Sequence, residues 1–172
     1  MGAHRTRGWA GSAVLLVAVS LLILRPWEDR GRQADGPSTA TARVIRVIDG
    51  DTIEAEVDSK PEDVRLIGID TPETVKPGTP VQCFGPQASA FTHGLLEGRT
   101  VHLVLGVERR DVYGRLLAYV RLGGRLVNAA LVRRGLARSL TIPPNDLHAP
   151  LFRRLERRAA RSGRGLWGAC PP

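Results

Sequence analysis

The 172-residue sequence predicts an α+β fold: a five-stranded OB-fold β-barrel with about three α-helices, preceded by an N-terminal membrane-directed helix. Short β-branched runs bounded by Asp-Gly and Pro fill its middle, stretches with helical spacing of apolar residues interrupt and follow them, and an uncharged run precedes both. The length suits one domain of roughly 100–200 residues. A hydrophobic content of 42% supports a core and excludes a wholly disordered basic tail. Two cysteines cannot by themselves supply the four ligands of a closed structural zinc site, nor a disulfide-rich scaffold.

The first 27 residues read as a signal-anchor or signal peptide. His4, Arg5 and Arg7 precede an uncharged run from Gly8 to Leu24, closed by Arg25, Pro26 and Trp27. In a helix Trp9 and Trp27 are about 27 Å apart, near the hydrocarbon thickness of a bilayer. The small-x-small sites Ala34-Asp35-Gly36 and Ala40-Thr41-Ala42 lie far downstream of Leu24, which favours an uncleaved anchor over a cleaved leader. Either reading exports the remainder: an extracytoplasmic domain, membrane-anchored by the N-terminus, or secreted if cleaved. Residues 28–42, rich in Gly, Ser, Thr and Ala, read as a flexible linker, and residues 43–172 as the folded domain.

Arg43 to Ile48 is a β-branched strand, and Thr52 to Val57 alternates as a second. Between them Asp49-Gly50-Asp51 marks a hairpin, its glycine supplying the positive φ of a tight turn. Val64 to Ile69 is a third strand, stopped by Pro72, which lacks an amide proton and restricts Thr71. Residues 74–84 are a loop. Pro86 opens a helix with Ala88, Phe91 and Leu95 on one face. Val101 to Leu105 and Arg115 to Leu122 complete the strands. Leu126 to Arg134 is a helix ended by Gly135, and Leu151 to Ser162 another, with Leu151, Leu155 and Ala159 on its apolar stripe.

Twenty-five Lys plus Arg against 17 Asp plus Glu give a net charge of +8, and only Lys60 and Lys76 are lysine. A polyanion is the expected partner, nucleic acid or membrane. Asp51 and Asp70 stand at the ends of different strands, and neighbouring strands would bring them together as hard oxygen ligands. Asp beside Gly or Pro is also ordinary turn chemistry, so the pair alone defines no metal site. Arg65 and Arg115 offer guanidinium forks for phosphate oxygens, or are solvated strand arginines. Glu73 is placed either to orient or deprotonate a water or simply as a loop carboxylate.

The blocks Val47-Ile48-Asp49-Gly50-Asp51-Thr52, Arg65 to Thr74, Phe84 to Thr92, Tyr113 to Tyr119 and Val127 to Ala137 resemble, in order and spacing, the staphylococcal (micrococcal) nuclease, or thermonuclease, family. The resemblance spans about residues 43–168. It implies that Asp51 and Asp70 bind Ca²⁺ with the backbone carbonyl of Thr71, with Asp49 in support beside the metal. It implies that Arg65 and Arg115 bind the reacting phosphate, that Glu73 serves the attacking water, and that Tyr113 lies near the nucleotide. The implied activity is Ca²⁺-dependent hydrolysis of DNA and RNA phosphodiesters with low sequence specificity, leaving 3′-phosphate ends, by a monomer. A non-catalytic nucleic-acid-binding OB module is the alternative, and the presence of all five charged site residues argues against it.

The pattern is not complete. Leu140-Thr141-Ile142-Pro143 stands where the family has tyrosines lining the base pocket, and Val112 where it has a lysine. Glu156 and Arg138 match a family pair between helix and loop. Residues 43–120 hold 9 basic and 12 acidic side chains, residues 121–172 hold 11 and 2. The helical arginines Arg153, Arg154, Arg157, Arg158, Arg161 and Arg164 read singly as solvated surface and together as a backbone-binding face. In an exported domain Cys83 and Cys170 are expected to form a disulfide.

Overall fold

The computed structural model describes residues 1–2, 38–75 and 77–171. The signal-anchor expectation for residues 1–27 therefore lies outside the described residues. Among those described, no helix is long and apolar enough to cross a membrane.

Alternation builds the barrel. Strand β1 (Thr39–Asp49) buries Ala42 and Val44 while Arg43 and Ile45 face out, and β2 (Thr52–Val57) buries Ile53, Ala55 and Val57. β3 (Lys60–Leu66), β5 (Thr100–Arg110) and β6 (Leu116–Leu122) complete the ring. Antiparallel pairing runs β3-β2-β1-β5-β6, and the parallel pairing of β3 with β6 closes it. Helices α1 (Gly85–Leu96), α2 (Val127–Arg134) and α3 (Ala149–Arg161) pack outside, with Leu96, Leu131 and Phe152 fully buried. Phe152→Ala at such a position costs on the order of 3–5 kcal/mol.

Several boundaries differ from expectation. β1 begins at Thr39 rather than Arg43, because Thr39 to Ala42 pair with Val104 back to Val101. The segment expected as linker over 28–42 thus gives its last residues to the barrel; pairing, not composition, decided it. The expected third strand over Val64 to Ile69 turns at Ile67-Gly68, leaving a separate β4 (Ile69–Asp70) against β8 (Arg138–Ser139). Two short elements without a sequence signal also form: β7 (Arg125–Leu126), extending the sheet beyond β6, and α4 (Leu166–Ala169).

Two buried polar side chains tie the helices to the barrel. Asn128 of α2 accepts from the Val120 amide and donates to the Ile67 carbonyl, both at 2.9 Å. Thr92 of α1 donates to the Gly50 carbonyl at 2.7 Å. Unmade, each would leave a buried polar group costing roughly 1–3 kcal/mol. Gly135 ends α2 at φ 69°, and a Cβ there would collide with the carbonyl of Arg164. Cys83 and Cys170 form the expected disulfide, 87 positions apart in the chain.

Candidate active site

The β1–β2 turn positions Asp51. It is held from behind by Thr92 and from the side by the close approach of Thr71: a Cβ on Gly50 would lie 2.7 Å from Thr71 Oγ1. The expectation of a left-handed glycine here is corrected, since Gly50 is absent from the positive-φ glycines and what it supplies is room. The Thr71 amide donates to Asp51 Oδ2 at 2.7 Å. Arg65 Nη1 meets the same oxygen at 2.6 Å, and its Nη2 reaches Asp70 Oδ1 at 3.2 Å. One guanidinium therefore gathers both carboxylates. Burial pushes the Asp51 carboxyl up from its ordinary range, while the Arg65 charge and Thr71 oppose that rise.

Barrel closure brings the second arginine to the same cleft. Arg65 pairs across the parallel ladder with Leu117, two residues past Arg115. Arg115 Nε and Nη2 each lie 2.7 Å from Asp111 Oδ2, and the Tyr113 and Arg115 amides donate to Asp111 Oδ1 at 3.0 Å. Burial alone would raise the Asp111 carboxyl, but these bonds leave it below the usual carboxylate range. The Tyr113 ring lies 5.4 Å from the Arg115 guanidinium and is exposed. Arg65, Asp111, Tyr113 and Arg115 line one cleft of about 340 Å³, with Leu140 and Ile142 on its rim.

Glu73 sits on the loop after β4. Its amide donates to Gln82 Oε1 and its carbonyl accepts from the Gln82 amide, both at 2.9 Å. Its Oε1 accepts the amides of Thr74 and Val75, again at 2.9 Å. Gln82 adjoins Cys83, so the disulfide fixes the far end of this loop. Asp49 is buried; Thr74 Oγ1 and the Gly50 amide each donate to its Oδ1 at 2.7 Å. Burial raises the Asp49 carboxyl, and its hydrogen bond with Glu73 and the Asp51 charge raise it further.

The donor set fits a hard cation. Asp51, Asp70 and the main-chain oxygen of Thr71 are oxygen ligands of the kind Ca²⁺ and Mg²⁺ take, and sulfur and imidazole are lacking. Thr71 Oγ1 is buried without a hydrogen bond of good geometry, and its closeness opposes the rise of the Asp51 carboxyl. Among the described residues no three His, Cys, Asp or Glu side chains gather as a metal site, so further ligands would be main chain and water.

A family model described as Staphylococcal nuclease homologue matches residues 63–169, an interval that runs from within β3 through α4. The chain belongs to the staphylococcal nuclease family. Thermonuclease from Staphylococcus intermedius is 42% identical over 163 residues, covering 91% of this chain and 95% of that protein. Thermonuclease from Staphylococcus hyicus is 39% identical with the same coverages. Endonuclease YncB from Bacillus subtilis (strain 168) is 40% identical over 124 residues, 71% of this chain and 59% of its own length. This chain is accordingly a nuclease of that family.

Within this nuclease, one resemblance-based pairing does not form. Glu156 accepts from the Ser139 amide and hydroxyl, whereas Arg138 lies over the Trp167 ring at 4.4 Å. Val112 and Ile142 stand exposed at the cleft mouth. Sequence reasoning missed Asp111, Gln82, Thr74 and Thr92. Only Asp111 carried a signal, as the first residue of the turn leading into Arg115.

Proposed function

We propose that this chain is an exported, Ca²⁺-dependent nuclease that hydrolyses DNA and RNA phosphodiesters with low sequence specificity and leaves 3′-phosphate ends. The observation that carries the reading is the gathering of Asp51, Asp70 and Thr71 around Arg65, in a cleft that Arg65 shares with Arg115. Bound Ca²⁺ would be held by Asp51, Asp70 and Thr71 and would neutralise phosphate charge. Arg65 and Arg115 donate to the equatorial phosphoryl oxygens as negative charge grows on them, already oriented by Asp51 and Asp111. Glu73, fixed by Gln82, accepts the proton of the attacking water. The phosphorus–5′-oxygen bond breaks as the water oxygen bonds to phosphorus, and the 5′-alkoxide leaves with a proton from solvent.

The disulfide supports an oxidising compartment, which agrees with export, whether the N-terminal run is retained as an anchor or removed. The exposed apolar rim of Val112, Leu140 and Ile142 is suited to contact bases without hydrogen bonding to them, in keeping with low specificity. The test incubates the full chain with DNA and with RNA, in calcium or in chelator, and repeats it with Asp51→Ala. Expected is cleavage to 3′-phosphate ends, abolished by chelator and by the substitution. Cleavage unaffected by chelator overturns the metal role; binding without cleavage leaves the non-catalytic module.

A further inference from the structure

The ends of α2 and α3 meet in a groove lined by Arg133, Leu155, Arg158, Arg161, Ser162 and Arg164. All four arginines are exposed, and among the described residues none forms an ion pair. Four exposed guanidiniums along one groove make a concentrated positive surface to which an anion is drawn. Backbone amides already serve much of both helix ends: those of Gly135 and Leu136 take the Val132 and Leu131 carbonyls of α2, and those of Ser162, Gly163 and Arg164 take the Arg158, Ala159 and Ala160 carbonyls of α3. The Ser162 hydroxyl is committed to the Arg158 and Ala159 carbonyls, and Arg164 Nη1 reaches the Arg133 carbonyl only at a long 3.5 Å.

We infer that this groove binds the phosphodiester backbone of the polynucleotide strand outside the catalytic cleft. The inference rests on the nuclease reading and extends it to a second contact with the same substrate. Guanidinium forks match phosphate oxygens and stay charged at any working pH. An anionic membrane fits less well. None of the exposed large hydrophobic side chains lies on α2 or α3, so this face has nothing to insert among acyl chains. The spacing suits one strand. Arg138 pairs with Asp70 at the cleft, and the five residues from there back to Arg133 reach at most about 18 Å. That bound amounts to a few nucleotides, so one strand can engage groove and cleft together. The two arginines of the cleft are each already paired with a carboxylate and offer a polyanion little net attraction; the groove supplies the attraction that holds a long strand nearby.

The test compares Arg158→Gln/Arg161→Gln with Arg153→Gln/Arg154→Gln, two exposed arginines of α3 outside the groove, so that net charge falls equally. Equilibrium binding of a labelled 40-nucleotide single strand to the full chain is measured in chelator, across salt concentrations. The groove variant is expected to bind roughly three- to tenfold more weakly, with a log K–log salt slope shallower by about 1.4, two phosphates at about 0.7 each. With calcium its KM for the 40-mer rises by the same factor, kcat holds, and a dinucleotide is cleaved as by wild type. Equal losses in both variants would reduce the effect to net charge and overturn the groove, as would no loss in either. Loss of binding to phosphatidylglycerol vesicles with strand binding intact would overturn it in favour of a membrane face. Wild type that binds with the expected slope but never cleaves sinks the nuclease reading and leaves the groove standing.

Discussion

Arg65 and Arg115 differ from Arg158 and Arg161 in everything but residue type. The first two are mostly shielded, with side-chain exposures of 15% and 30%, and each is held by a carboxylate at 2.6–2.7 Å. The second two are exposed on the helix surface and, among the described residues, form no ion pair. An arginine that must meet charge developing on one phosphoryl group benefits from being fixed beforehand, because reorganisation then costs nothing during reaction. An arginine that meets a passing backbone benefits from being free to follow it. The acidic partners that look like liabilities at the mouth are what set its cations in place.

That contrast can be broken by experiment. The largest effect is expected from Cys83→Ser with Cys170→Ser, which unfastens the loop carrying Glu73 from the C-terminal end. By loop-entropy reasoning the loss is roughly 4–5 kcal/mol, read as a fall in the urea midpoint. Arg65→Ala and Arg115→Ala should each lower kcat by about 10²–10³-fold in calcium-dependent cleavage. Lysine at position 115 should recover little, since an ammonium cannot span Asp111 and a phosphate as a planar fork does. Near-wild-type turnover in either alanine variant would remove the fixed-arginine account.

Asp111→Asn is milder and tests fixation itself. It leaves the Arg115 charge in place but releases its anchor, and roughly tenfold in kcat is expected. The Asp111 carboxyl lies below its ordinary range in the folded protein, so its stabilisation is present above about pH 4 and fades as pH falls through the depressed value. The urea-midpoint difference between wild type and Asp111→Asn should therefore be full at neutral pH and shrink on acidification below about pH 4. A difference independent of pH would assign the effect to packing. The smallest change belongs to Arg153→Gln/Arg154→Gln, whose melting temperature should move by less than about 2 °C, an exposed-surface effect within about 0.5 kcal/mol.

Much of this was legible in one dimension. Asp-Gly between alternating runs marked the first hairpin, Pro72 the end of the third strand's segment, and Gly135 the end of α2. The candidate site residues were named through a resemblance in which several blocks keep order and spacing, a pattern far more specific than any single carboxylate. What stayed hidden depends on partners distant in sequence. Thr39 to Ala42 look like linker because their strand character comes from β5. Gln82 and Thr92 carry no signal because their role is to hold Glu73 and the turn before Asp51 across folded space.

The sequence by itself determined which chemical groups are present and how they are spaced along each element, because propensity, turn chemistry and motif order are local. Tertiary structure alone decided which of the arginines are held and which are free. The parallel closure of β3 on β6 sets Arg65 and Arg115 at one cleft among carboxylates, while the meeting of α2 and α3 collects arginines that, among the described residues, form no ion pair. Identical side chains thereby acquire different electrostatics, since a charge is defined by what the fold places within a few ångströms of it.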